Sequence, residues 1–280
     1  NPATEPTRPE PAPVVDESAP PIVDSPPSSG EGLGVGGSLI NPEALTYLGA
    51  FRLPDASGGS SWEYSGHGLT HRPANEQAQN AHGTLFGFGH DQQLMVSEIS
   101  IPEPIISKNL ADLNTAETIQ PFADISGGLF VPEEMVIPRA GLTYYDGQLY
   151  FAFGQHLQDF ELSHGVAALD LTQAQGAYVF GGYSNYVTND YLLEIPREWA
   201  EALGGYSLAS GRAREGLWSG RGPALFAYRP DVVEGGVLTN VIPLLLYGVQ
   251  EAGIPDLVSD ESMAMEGYRD ADHWWGAEWL

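Results

Sequence analysis

Cysteine is absent from this chain, and lysine is nearly so, with Lys108 standing alone. Without thiols there are no disulfides and no thiolate metal sites. Positive charge as a whole is scarce. Eleven basic residues face thirty-seven acidic ones, for a net charge of -26. Such a surface repels phosphate backbones and anionic lipid, which disfavours nucleic acid and membrane surfaces as partners. Cations, basic partners and neutral ligands such as glycans are compatible with it. Long apolar runs are missing too. "VIPLLLYGV" at 241–249 has the length of a strand and holds a proline, whereas a membrane helix needs roughly 20 apolar residues.

What is present is 280 residues, 42% of them apolar, enough to bury a core. Residues 1–30 hold nine of the twenty-two prolines, several acids and almost no large apolar side chains. A segment like this buries too little surface to offset its ordering entropy, and proline density makes it an extended spacer. We expect residues 1–37 to be a disordered tether and 38–280 the folded domain. Such tethers often follow an export signal or a lipid-anchor site, so an extracytoplasmic location is expected; an ordinary interdomain linker has the same composition. The chain opens on Asn1 with no signal peptide in view, as a processed chain or a piece of a longer one does. "GLGVGG" at 32–37 resembles a dinucleotide loop, but such a loop works between a strand and a helix. Here a proline-rich stretch precedes it and Pro42 follows, so it reads as a joint.

Beyond residue 44 the pattern is short strands bounded by glycine, proline and Asp-Gly. "AGLTYY" and "QLYFAFG" flank Asp146-Gly147, a strong two-residue hairpin signal because both positions tolerate positive φ. "GVAALDL" at 165–171 and "AYVFGG" at 177–182 continue the series. An earlier copy reads "HGLTH", "GTLFGFGH" and "LMVSEISIP". A looser third reads "YLLEIP", "GPALFAY" and "PLLLYG", and a further strand is expected to begin at "MAMEGY", 263–268. Serial four-stranded meanders whose strands are apolar almost throughout predict an all-β, β-propeller-like array of antiparallel blades, with both faces of each blade buried. Small residues such as Gly87, Ala152, Ala167 and Ala168 are expected to let blades approach. A β-sandwich is the alternative, though it predicts cleaner alternation. One short helix is expected over "PREWAEALGG", 196–205, with Trp199, Ala202 and Leu203 on one face.

The runs "LTYLGAFRLP", "NDYLLEIPREWAEALGG", "LASGRAREGLWSGRGPALFAY" and "ADHWWGAEWL" resemble a group of exported bacterial and metagenomic proteins of propeller-like build. These carry no assigned activity and normally continue past the last motif. The resemblance covers roughly residues 45–280. It implies a propeller-like fold, export and a body that is incomplete at Leu280, and it implies no catalytic residue.

Candidate site residues fall into three groups. His67 and His71 are four apart; on a strand that separates them by roughly 13 Å, too far to chelate as a local pair. His71, His90 and His156 fall near equivalent strand ends, so they are candidates to converge on one face as ligand-binding residues; satisfied core or turn histidines spell the same pattern. Asp270 and Asp272, beside His273, Trp274 and Trp275, combine carboxylates with aromatic platforms. With Glu215 and Glu266 they are candidate catalytic acids for glycoside chemistry, or oxygen ligands for Ca2+. Solvated acids beside packing aromatics give the same sequence, and no EF-hand spacing occurs. Arg212, Arg214 and Arg221 lie in "GRAREGLWSGRG", where Arg212, Arg214 and Trp218 are candidate ligand contacts, since guanidinium forks grip carboxylates. Pairing with nearby acids is the plainer role. "GLWSG" lacks the nucleophile-elbow spacing, so a serine hydrolase is unsupported.

The function expected is an exported or cell-surface propeller-like binding protein for a neutral or cationic ligand, glycans included. A carbohydrate-active hydrolase or lyase, and a structural subunit completed by another chain, are the alternatives.

Overall fold

The structure, a computed structural model, describes residues 43, 45–74, 82–129, 139–154, 162–172, 174–183, 188, 190–212, 224–230, 233–234 and 236–245. The chain divides into two units, Asn1–Tyr47 and Leu48–Leu280. In the first, the described Leu45 and Tyr47 are exposed. The expected tether, the 37/38 boundary and the strand at 263–268 lie outside the described residues.

Among its described residues the second unit is all-β apart from one α-helix and a short 3-10 turn at Leu110–Asp112. Its first sheet runs β1 (Leu69–Arg72), β2 (Thr84–Phe88), β3 (Val96–Ser100), β4 (Thr118–Ala123), in that order and antiparallel. The second sheet holds β5 (Arg139–Tyr145), β6 (Gln148–Gly154), β7 (His164–Ala167) and β8 (Ala174–Phe180) as a meander. The third holds β9 (Tyr191–Glu194), β10 (Leu208–Gly211), β11 (Leu225–Tyr228) and β14 (Val241–Leu245). Between β11 and β14 the chain makes a hairpin of β12 (Val233–Glu234) and β13 (Val237–Leu238). β13 pairs in parallel with β8 and so straps the third sheet's chain to the second sheet. Among the described residues there is no closed barrel and no closed ring of sheets.

The turn between β5 and β6 follows the expected chemistry. Asp146 and Gly147 have φ of 46° and 79°, and Tyr145 pairs with Gln148. In β6 successive side chains serve opposite neighbours. Leu149, Phe151 and Phe153 pack with Phe86, Phe88 and Val96 of the first sheet. Tyr150 packs with Leu192, Leu208, Phe226 and Tyr228 of the third. The second sheet is therefore buried on both faces, which is why its strands read as continuous apolar runs rather than alternating ones.

Two glycines set the spacing between sheets. A Cβ on Gly68 would come 2.3 Å from the Leu142 nitrogen, and one on Gly141 would come 2.7 Å from the Leu192 nitrogen. Gly68 thus rests on the Gly141–Leu142 peptide, and Gly141 rests on the Tyr191–Leu192 peptide. Gly68 also donates its N–H to the Ala140 carbonyl at 3.1 Å, and the Tyr144 N–H donates to Thr70 Oγ1 at 2.8 Å. The repeated wording "GLT" therefore marks one structural step taken twice. Gly87, expected to serve this purpose, instead makes room for Trp62, whose ring a Cβ there would meet at 3.0 Å and which packs on Phe122.

Outer edges are managed differently. β4 carries Pro121 and β14 carries Pro243, each an edge strand among the described residues, where a missing N–H breaks no internal ladder. The third outer strand, β8, is covered by β13. Helix α1 (Arg197–Ala202) starts after Pro196 and stops in a glycine cap: the Gly205 N–H bonds the Ala200 carbonyl and the Gly204 N–H bonds that of Glu201. Its buried contacts are Ala200 and, in part, Leu203. The expected inward face was wrong at two positions, since Ala202 is exposed and Trp199 is 43% exposed. A six-residue helix has one short stripe to bury, and the small Ala200 lets it lie close.

Candidate functional site

β1, β5 and β9 are each the end strand of their sheet, and the glycine contacts bring these three edges side by side. Together they line a cleft of about 930 Å³, within the range of small-molecule sites. Counting from the glycine steps, Gly68, Gly141 and Tyr191 are equivalent. Three residues further along, His71, Tyr144 and Glu194 occupy equivalent places, and all three line the cleft. One residue before the glycine position, His67 and Asp190 are equivalent and line it too, next to Arg139. Tyr145 and Asp146 complete the wall on the side of Tyr144.

The electrostatics differ along the cleft. His67 is half-buried, and its pKa is pushed below the ordinary imidazole value, mainly by burial and then by the positive charge of Arg139, with Asp91 opposing. It presents a neutral ring at neutral pH, able to donate at one nitrogen and accept at the other. His71 is exposed, with Nε2 2.8 Å from the His82 carbonyl. Asp146 is exposed at the hairpin tip, and Glu194 is exposed at the end of β9. The wall therefore mixes carboxylates, one guanidinium, imidazoles and tyrosines. Such a set can hydrogen-bond a hydroxyl-rich ligand and offers ring faces to its apolar side. Among the described residues no three His, Asp or Glu gather as a metal site.

The sequence candidates are placed unevenly. His71 is in the cleft. His90 lies in the turn after β2: its Nδ1 is 3.1 Å from the Gln92 nitrogen and 3.1 Å from Asp91 Oδ1, with Tyr64 edge-on against the ring. It does not line the cleft. Arg212 is 4% exposed at the end of β10 and does not line it either. His156, Arg214, Glu215, Trp218, Glu266, Asp270, Asp272, His273, Trp274 and Trp275 lie outside the described residues. Sequence reasoning missed Arg139, Asp190 and Glu194 as site residues. A signal existed, because aligning "GLTH", "GLTY" and "YLLE" from their first residues puts His71, Tyr144 and Glu194 in one column.

Two buried polar clusters lie away from the cleft's lining. Glu98 accepts from Arg72 Nη1 at 3.2 Å, Thr84 Oγ1 at 2.6 Å and Gln120 Nε2 at 2.6 Å, so its buried charge is paired and hydrogen-bonded. Ser163, His164 and Ser210 form a chain of contacts with the look of a hydrolytic constellation, at 2.9 Å for each imidazole–hydroxyl contact. All three are fully buried, and the Ser210 hydroxyl is spent on backbone carbonyls, so no substrate reaches a nucleophile there. Comparison with protein-family models, with curated proteins and with solved structures finds no match to this chain.

Proposed function

We propose that this is an exported or cell-surface binding protein with a propeller-like body, taking a neutral or cationic ligand, glycans included, along the cleft between β1, β5 and β9. The observation that carries this reading is the repetition itself: three sheets contribute equivalent end strands to one cleft, as blades do around a propeller's channel. The middle sheet, buried on both faces, supports the same architecture. The proline-rich first thirty residues support display outside the cytoplasm, and the net charge of -26 disfavours nucleic acid. No helix among the described residues is long and apolar enough to cross a membrane.

The test is a glycan array with neutral, amino and acidic oligosaccharides, followed by titration of hits against Glu194→Gln and Tyr144→Ala. We expect micromolar or weaker binding, reduced roughly tenfold or more by either change, as the loss of one buried contact implies. Binding untouched by both changes removes the cleft as the site.

Two further readings each have an observation in their favour. Carboxylates Asp146, Asp190 and Glu194 beside Tyr144 and Tyr145 favour a carbohydrate-active enzyme; turnover of a polysaccharide panel distinguishes it from binding alone. Leu69 is 60% exposed, whereas its equivalents Leu142 and Leu192 are 2% and 7% exposed against the preceding sheet. That favours an assembly subunit whose first sheet is covered by another chain, and sedimentation over a concentration series tests it.

A further inference from the structure

We propose that the seam between the second and third sheets is an acid-opened joint, with the His164 imidazole as its pin. His164 sits in β7 of the second sheet, fully buried, and its Nε2 lies 2.9 Å from Ser210 Oγ in β10 of the third. Ser210 has a single hydroxyl proton, directed at the Thr188 carbonyl at 2.6 Å and the Tyr191 carbonyl at 2.8 Å. Its oxygen therefore accepts from Nε2–H. Nδ1 then accepts from the Ser163 hydroxyl, 2.9 Å away. The neutral ring thus has a partner at both nitrogens, and neither partner carries a charge that would hold an added proton.

Among the described residues, nothing around the ring compensates an added proton. The ring lies parallel to Phe180 at 4.3 Å and to Tyr178 at 5.7 Å, with Tyr228 edge-on at 6.1 Å. Among the described residues packed here from β6, β8, β10 and β11, the titratable groups are Tyr150, Tyr178 and Tyr228; phenols are uncharged in the acid range, and burial pushes Tyr178 and Tyr228 up further, so none supplies negative charge. Ser163, Ser210, Phe180 and the Thr188 and Tyr191 carbonyls carry no formal charge. Burial accordingly holds the His164 pKa down to about 3, against a smaller raising effect of the Thr188 backbone.

When the seam opens, the ring returns to water and to an ordinary pKa near 6.5. The open state then binds the proton that the closed state refuses. The closed seam keeps its full advantage above pH 6.5 and loses it as pH falls from 6.5 toward 3, by about tenfold in the opening equilibrium per pH unit. Tyr191, whose carbonyl anchors Ser210, also lines the cleft, so the joint couples acidity to one wall of that site; this last link rests on the cleft being the ligand site, and the joint itself does not.

Amide hydrogen exchange of the whole chain between pH 6.5 and 5.0 tests the joint, with protection factors corrected for intrinsic exchange. In this window most carboxylates are still ionised in both states. Seam amides in β7, β9 and β10 should lose protection about 15-fold, while β3 amides in the first sheet stay within a few-fold. Equal loss in both places overturns the proposal, because it reports global unfolding. His164→Gln should abolish the difference, and His67→Gln, which removes the other depressed imidazole, should leave it intact. If His164→Gln does not fold, imidazole nitrogen shifts of the unaltered protein decide: a neutral, Nε2-protonated ring at pH 5 supports the joint, and a cationic ring refutes it.

Discussion

The two seams of the same molecule are built from different materials. Between the first and second sheets the filling is phenylalanine and aliphatic: Phe86, Phe88, Phe151 and Phe153 with Val96 and Leu142. Between the second and third it is tyrosine and histidine: Tyr150, Tyr178 and Tyr228 around His164, with two buried serines. Both seams have the same spacing device, a glycine resting on a neighbouring peptide. The difference shows that geometry and chemistry are set separately here. Glycine fixes how closely two sheets lie, and the side chains farther out decide how the seam responds to water and protons. The buried Glu98 of the first sheet has its charge matched by Arg72, Thr84 and Gln120, whereas the polar seam depends on every hydroxyl being matched.

Truncating the dry seam should give the largest effect. Phe151→Ala removes a fully buried ring that touches Phe153 and Gly165, and denaturant melts should show a loss of about 3–5 kcal/mol. Overfilling the shared spacing device comes next. Gly141→Ala puts a methyl into the Tyr191–Leu192 peptide, where no flexible side chain can yield. We expect a loss of about 1–3 kcal/mol or more by the same measurement. Gly68→Ala at the other seam should cost a similar amount, and a clear inequality between the two would break the claim that the seams share one spacing rule. The smallest change is Tyr178→Phe. It deletes a single long hydroxyl contact to Tyr228, 3.4 Å, and leaves the packing in place. A loss of about 0.5–1 kcal/mol is expected, and anything above 2 kcal/mol would mean that the tyrosines, rather than His164 and Ser210, hold the polar seam.

Much of this fold was legible because local and global signals agree. Asp146-Gly147 announced the β5–β6 hairpin, and "QLYFAFG" gave the bounds of β6 to the residue. The α1 stop was readable in Gly204-Gly205. β4 was not legible, because Pro121 in "TIQPFA" reads as a breaker unless one knows the strand is at an edge. β10 hid for another reason. "LASG" has weak strand propensity, and its small residues are chosen for burial: a Cβ on Gly211 would sit 1.8 Å from the Ala224 carbonyl. Arg212 reads as a candidate ligand contact, although it is buried. The cleft was the least legible part. Its wall comes from strands beginning at residues 69, 139 and 191, and only the stacking of sheets, which no local pattern encodes, tells which ends meet.

Pro121 and Pro243 carry one more consequence. A stray strand approaching the periphery finds a gap in the row of donors on β4 and β14, and finds β8 already occupied by β13. Sideways recruitment of other chains into amyloid-like ribbons is thereby hindered at these three strands.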